Sequence, residues 1–114
     1  MREAARDKGR LEDILQAIHY VNEFVADISY EQLIADKMRY FAIVKNLEII
    51  GEAAYMLTKE FIANHNSTPW NVIIKMRHVL VHGYTNIEPD ILWDTIKNDL
   101  PPFKSQVESY LKEF

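Results

Sequence analysis

The chain has 114 residues, of which 48% are hydrophobic and 26% charged, and its formal net charge is −4. This composition is typical of a soluble globular protein, and the length predicts a single domain over residues 1–114. Because the chain contains no cysteine, a disulfide framework and a thiolate metal site are excluded. Proteins that bind nucleic acid by bulk electrostatics are usually basic, so any such contact here must depend on a local patch or on a surface formed by two chains.

The ends and apolar runs of the sequence carry no targeting signal that we recognise. The N-terminal stretch MREAARDKGR is charged and has no apolar segment of signal-peptide type behind it. No run approaches the ~18 apolar residues that a membrane helix needs. We therefore expect a cytoplasmic protein with no membrane partner.

Apolar residues recur at helical spacing through the first half of the chain. A helix is predicted over residues 3–27 from the positions Leu11, Ile14, Leu15, Ile18, Val21 and Val25. Ser29 and Gln32 resemble a capping box, which predicts a short helix ending near residue 35. The longest helix is predicted over residues 36–63 from the alternating spacing of Ile43, Leu47, Ile50, Ala54, Leu57 and Phe61.

A second apolar stripe flanks the first on this long helix, and consists of Ala42, Ile49, Ala53 and Met56. Two explanations are open. The helix is either the centre of a small bundle, or it presents the second stripe to a partner chain. Small residues such as Gly51, Ala53 and Ala54 would let helices approach closely.

Thr68 and Pro69 predict the start of another helix, with Thr68 as its cap and Pro69 at the first helical position. This helix is expected to run from Trp70 to about residue 81 and to stop at Gly83, the usual residue for a left-handed C-terminal cap.

A last helix should begin near Pro89, and Pro101 and Pro102 should kink or restart it. No strand-like alternation of useful length occurs. The expected fold is an all-α, up-and-down bundle of four to five helices.

The stretch RHVLVHGY, residues 77–84, concentrates hydrogen-bonding and titratable groups. One interpretation is a metal site, because His78 and His82 are four residues apart and share a helix face. However, Val79 stands where the zincin motif has glutamate, which argues against a metal site.

A structural interpretation is that Arg77, His78 and His82 are cations that oppose the helix dipole at a C-terminal end.

A third interpretation is cleavage of RNA by phosphoryl transfer. Histidine suits the proton transfers because its pKa lies near working pH, and arginine presents a fork of donors that matches phosphate oxygens. Arg77 and His82 lie about 140° apart around an ideal helix, so they do not share a face. They converge only if His82 lies at a frayed helix end, or if a second chain completes the site.

These residues resemble those of a known family. Arg77 to His82 matches the R-x4-H motif of the HEPN superfamily, and the extension to Tyr84 matches the R-x4-H-x-Y form of HepT-like toxins. His78 departs from the asparagine that is most common at its position. Four segments are similar to this family, in its order: RLEDILQAIHYVNEF, NLEIIGEAA, PWNVIIKMRHVLVHGY and ILWDTIKNDLP.

The resemblance implies a dimeric HEPN-type bundle that is the toxin of a type VII toxin–antitoxin pair and acts as a metal-independent endoribonuclease without a cofactor. Arg77 would bind the scissile phosphate, and His82 would be the acid or base. A cognate minimal nucleotidyltransferase antitoxin would transfer AMP to Tyr84. His78 is either a second polar contributor or a helix-end cation, and Glu52 is expected to orient a neighbouring cation.

A non-catalytic alternative stays open on the sequence alone. Some HEPN proteins lack nuclease activity and serve as interaction modules that bind a nucleotidyltransferase. The sequence also leaves the RNA substrate, tRNA or mRNA, undetermined.

Overall fold

The computed structural model describes residues 6–82 and 88–114, with only the backbone of residues 81 and 82. Over these residues the chain forms α1 (Asp7–Val25), α2 (Tyr30–Ala35), α3 (Lys37–Tyr55), α4 (Lys59–Asn64), α5 (Trp70–His82), α6 (Pro89–Asp94) and α7 (Leu100–Leu111). A π-helical segment, Thr95–Asp99, joins α6 to α7. The described part of the chain contains no strand, which confirms the all-α prediction. The described residues form seven α-helices where four to five were predicted, because the long helix and the last helix are each divided.

The central element is α3, which packs along α1 on one side and α5 on the other. Three of the four residues of its second apolar stripe are covered inside the chain, since Ala53 is buried and Ala42 and Met56 are half-buried, whereas Ile49 is 38% exposed. This arrangement favours the central-helix explanation. The largest fully buried side chains lie mainly on α1 and α3 and include Leu11, Ile14, Ile18, Leu33, Ile43, Leu47, Ile50 and Leu57.

A different line of apolar side chains on α3 is exposed. Met38 is 87% exposed, Phe41 56% and Tyr55 45%. None of the three belongs to either predicted stripe. No helix in the described part of the chain combines the length and the apolar character needed to cross a membrane.

The predicted helix over residues 36–63 is wrong in its second half. The structure ends α3 at Tyr55 and begins α4 at Lys59. Leu57 and Phe61 are both buried, so the apolar spacing continues across the break. Hydrophobic periodicity therefore gave no sign of it.

Thr58 is the cause of the break. Its hydroxyl oxygen accepts from the backbone N–H of Phe61 at 3.1 Å, which caps the start of α4. Asp7, only 4% exposed, accepts from the Thr58 backbone N–H at 2.9 Å and from the Thr58 hydroxyl at 2.7 Å. The start of α1 is thus tied to the start of α4.

The capping box at the start of α2 is confirmed. The Ser29 hydroxyl accepts from the Gln32 backbone N–H at 3.1 Å, and Gln32 Oε1 accepts from the Ser29 backbone N–H at 2.8 Å. Residues 3–5 of the first predicted helix lie outside the described residues, and α1 ends at Val25, two residues before the predicted end.

The helix α5 begins at Trp70, as predicted, and is helical through His82. Gly83, the predicted C-terminal cap, lies outside the described residues. Thr68 is 2% exposed; its carbonyl accepts from the Trp70 backbone N–H at 2.8 Å, while its side chain binds α7. Its hydroxyl donates to Gln106 Oε1 at 2.9 Å and lies 2.5 Å from the Tyr110 hydroxyl oxygen.

The chain stays helical from residue 89 to residue 111, so Pro101 and Pro102 do not restart a separate helix, and a π-helical segment precedes them instead. Leu100 donates its backbone N–H to the carbonyl of Thr95, five residues back, which is the π-helical pattern. Pro101 and Pro102 then occupy the first turn of α7, where the change from the π-helical to the α-helical pattern occurs.

An aromatic cluster around His65 fixes the start of α5. His65 Nδ1 lies 2.7 Å from the Phe61 carbonyl oxygen, and its Nε2 lies 2.8 Å from Glu113 Oε1. The Trp70 Nε1–H donates to the His65 carbonyl at 3.0 Å. Both ring nitrogens face acceptors, so the doubly protonated ring satisfies both. Burial lowers the pKa of His65, but the bonds to Phe61 and Glu113 and the Glu113 charge outweigh burial and raise that pKa above its ordinary 6.5.

We expect protonated His65 to stabilise the fold. Because its folded-state pKa is raised, this contribution is fully present below pH 6.5 and is lost as pH rises through the folded-state pKa. The free energy of unfolding, from urea titrations at a series of pH values, should fall over that interval in the wild type and less in His65→Gln. His19 is exposed, so His19→Gln should keep the wild-type profile. Parallel wild-type and His65→Gln profiles would contradict this account.

Candidate functional site

Arg77 lies on α5 where this helix comes closest to α3. A β-carbon added at Gly51 would overlap the Arg77 β-carbon and would lie 3.1 Å from both the Cα and the backbone nitrogen of Arg77. Only glycine fits this contact without displacing α5. The close approach that the sequence suggested for Gly51 thus occurs within one chain.

Two side chains of α3 surround the Arg77 guanidinium. Glu52 Oε2 forms an ion pair with Arg77 Nε, and the Arg77 Cζ lies 5.7 Å from the centroid of the Tyr55 ring. The contact through Nε leaves the terminal nitrogens of the guanidinium for a second acceptor. Glu52 thus lies where a carboxylate can orient the Arg77 side chain, and Tyr55 adds a cation–π contact.

Arg77 and Glu52 line a groove of about 290 Å³ between α1, α3 and α5. Its lining residues are Arg10, Asp13, Lys45, Glu48, Ile49, Glu52, Ala53 and Arg77. Lys45 and Glu48 form an ion pair of 3.7 Å along α3. The groove is thus polar around an apolar floor of Ile49 and Ala53.

The other predicted site residues, His78, His82 and Tyr84, are not among the described residues that line the groove with Arg77 and Glu52. His78 is exposed on α5 and is not among the residues that line the groove. The α-helical backbone of α5 through His82 leaves Arg77 and His82 about 140° apart around the helix axis. The His82 side chain and Tyr84 lie outside the described part of the chain. Within that part, no group of three or more potential ligand side chains could hold a metal ion.

Sequence reasoning missed Tyr55 and Arg10. Tyr55 follows Glu52 by three residues and shares its helix face, so the spacing could have indicated it. Arg10 had no local signal, because its position beside Arg77 depends on the packing of α1 against α3.

An all-helical bundle that carries an R-x4-H motif arginine beside a polar groove is of the HEPN type. A family model described as "Ribonuclease HepT-like" matches residues 14–110. The chain therefore belongs to the HepT-like ribonuclease family.

Curated relatives match over nearly the whole chain. A probable ribonuclease HepT of Thermococcus cleftensis is 38% identical over 105 residues, which cover 92% of this chain and 96% of that protein. A putative RNase of Methanocaldococcus jannaschii is 38% identical over 101 residues, covering 89% and 93% of the two chains. A putative RNase of Caldanaerobacter subterraneus is 40% identical over 103 residues, covering 90% and 92%. No solved structure matches the chain.

We expect Gly51→Ala to destabilise the fold and to displace Arg77. The new methyl group meets Arg77 backbone atoms that cannot rotate away, and overpacking of this kind costs about 1–3 kcal/mol. Urea denaturation measures the loss of unfolding free energy.

Gly9→Ala is a matched control on α1, because its added β-carbon has no atom within 4 Å. Gly9→Ala should be neutral or stabilising by up to about 1 kcal/mol. Equal effects of the two substitutions would contradict the close contact at Gly51.

Proposed function

We propose that this chain is the toxin of a type VII toxin–antitoxin pair and a metal-independent endoribonuclease. The family match and the relatives named as ribonucleases support RNA as the substrate class. The observation that carries the proposal is the motif arginine, Arg77, which Glu52 orients beside a groove accessible from solvent.

The chemistry divides between two motif residues. Arg77 binds the non-bridging oxygens of the scissile phosphate and stabilises the charge that accumulates on the phosphorane. His82 acts as the base that removes the ribose 2′-hydroxyl proton, or as the acid that protonates the departing 5′-oxygen. The 2′-oxygen attacks phosphorus as the bond to the 5′-oxygen breaks, which leaves a 2′,3′-cyclic phosphate. His78 and Glu52 are the further candidates for contact with RNA.

A homodimer supports this division of labour. Because α5 is helical through His82, the pair Arg77 and His82 does not share a face within one chain. A second copy supplies the missing partner from its own motif. The exposed apolar side chains of Met38, Phe41 and Tyr55 on α3 offer a surface for such an association.

Control is by modification of Tyr84. A cognate minimal nucleotidyltransferase antitoxin transfers AMP to the Tyr84 hydroxyl, displacing pyrophosphate from ATP. The added phosphodiester brings negative charge close in sequence to Arg77 and His82, so it competes with RNA for the phosphate site. The match of residues 77–84 to the R-x4-H-x-Y motif supports this step.

Arg77→Ala and His82→Ala should each abolish RNA cleavage while leaving the helical circular-dichroism spectrum unchanged. Removing a group that stabilises transition-state charge costs about 10²- to 10³-fold in rate. EDTA should leave cleavage unchanged. Activity that is lost on chelation and restored by a divalent ion would contradict the metal-independent mechanism. An intact RNA substrate with the wild type as well as both variants would favour the non-catalytic interaction module.

Mixed dimers of the same two variants test the composite site. If Arg77 of one chain works with His82 of the other, a dimer of one Arg77→Ala and one His82→Ala chain contains one intact pair. Unfolding and refolding the two variants together should then restore part of the cleavage. Restoration would fail for a site built within one chain, and a monomer in light scattering would exclude the composite site altogether.

Incubation with the cognate nucleotidyltransferase, ATP and magnesium should add AMP to Tyr84. A phenol is a poor nucleophile at its unperturbed pKa of about 10, so the partner must supply the base and the metal. Mass spectrometry of the peptide that contains Tyr84 measures the modification, and its stoichiometry should parallel the loss of cleavage.

Tyr84→Phe is the matched control for this modification. It should resist AMP transfer and stay active with the antitoxin present, whereas Tyr55→Phe should be modified like the wild type. AMP on another residue, or neutralisation of Tyr84→Phe as complete as that of the wild type, would show that the antitoxin acts by binding alone.

A further inference from the structure

We propose that the groove between α1, α3 and α5 is the track for the RNA backbone, and that Arg10 binds a phosphate that flanks the scissile one. This inference rests on the proposed function, because it takes Arg77 as the group that binds the scissile phosphate. The groove is lined by three cations and three carboxylates, so its attraction for RNA comes from individual arginine–phosphate contacts and not from a net positive patch.

The groove brings together cations from three helices that are distant in sequence. Arg10 comes from α1, Lys45 from α3 and Arg77 from α5. The three surround one cavity of about 290 Å³, slightly below the range of about 300–1,000 Å³ usual for small-molecule sites. A cavity of this size has room for a phosphate and its sugar, and its opening to solvent lets a polymer continue beyond it.

Arg10 is the cation in this set whose donors are free. Lys45 is paired with Glu48 at 3.7 Å, and Arg77 is paired with Glu52 through Nε. Among the described residues, no ion pair involves Arg10. Its side chain is half-buried, so its stem packs in the groove and its guanidinium needs to give up no protein partner to bind a phosphate.

Asp13 is the corresponding carboxylate. It lines the same groove, is exposed, and forms no ion pair among the described residues. A carboxylate beside the backbone track repels phosphate, so Asp13 weakens RNA binding as it stands. Neutralising Arg10 should therefore weaken RNA binding, and neutralising Asp13, three residues further along α1, should strengthen it. A general effect on folding would not change the affinity in opposite directions.

The test is binding of a mixed-sequence, single-stranded RNA to the full-length protein in a His82→Ala background, which prevents cleavage. Fluorescence anisotropy at a series of salt concentrations gives the affinity and its salt slope. Arg10→Gln should weaken binding by about three- to tenfold and reduce the slope by about 0.7, the value for one phosphate contact on a single strand. Asp13→Asn should tighten binding.

Matched controls come from the same helix. Lys8→Gln and Glu12→Gln remove the same charges at exposed positions that do not line the groove, and should leave affinity and slope unchanged. The inference is overturned if Arg10→Gln and Lys8→Gln behave alike, if Asp13→Asn binds no more tightly than Glu12→Gln, or if the parent does not bind this RNA. The proposed function fails separately, if Arg77→Ala cleaves RNA at the wild-type rate.

Discussion

The contact of Gly51 with Arg77 fixes the distance between α3 and α5, and the geometry of the site depends on that distance. With no side chain at residue 51, the backbone of α5 reaches α3 closely enough for the next residue, Glu52, to bind the Arg77 guanidinium. Tyr55, one turn further along α3, then lies against the same guanidinium. A larger residue at position 51 would separate all three partners at once, because packed helices move as units.

The elements that sequence predicted well are those determined by local chemistry. The apolar spacing gave α1 and the core face of α3, and Ser29 with Gln32 gave the start of α2. The missed division of the long helix combines a local contact with a distant one. Thr58 caps α4 through the backbone N–H of Phe61, three residues on, and Asp7, 51 residues away in sequence, binds Thr58 only after the chain has folded. Helical periodicity carries no information about such a contact, and Leu57 conceals the break by staying in phase.

Parts of the candidate site were likewise indicated by local sequence, and parts were not. Arg77, His82 and Tyr84 were indicated by a motif confined to eight residues, and Glu52 by being polar within an apolar run. The groove itself could not be predicted, since it requires the relative positions of α1, α3 and α5. Its formal charges cancel, whereas the whole chain carries −4, so the groove is less acidic than the chain as a whole. The composition gives only the net charge of the whole chain, so it does not show which surface repels an anionic polymer least.

Contacts at two points along α5 hold this helix in place and so position Arg77. At its N-terminal end, the Trp70 indole donates to the His65 carbonyl and lies edge-on to Phe103 of α7. Two turns later, about 10 Å along the axis, Arg77 meets Gly51. Translation of α5 would disturb both contacts, and rotation would turn Arg77 away from Glu52. A side chain is positioned precisely when it lies on a rigid element supported by packed neighbours, and here Trp70, Phe103 and Gly51 give that support to Arg77.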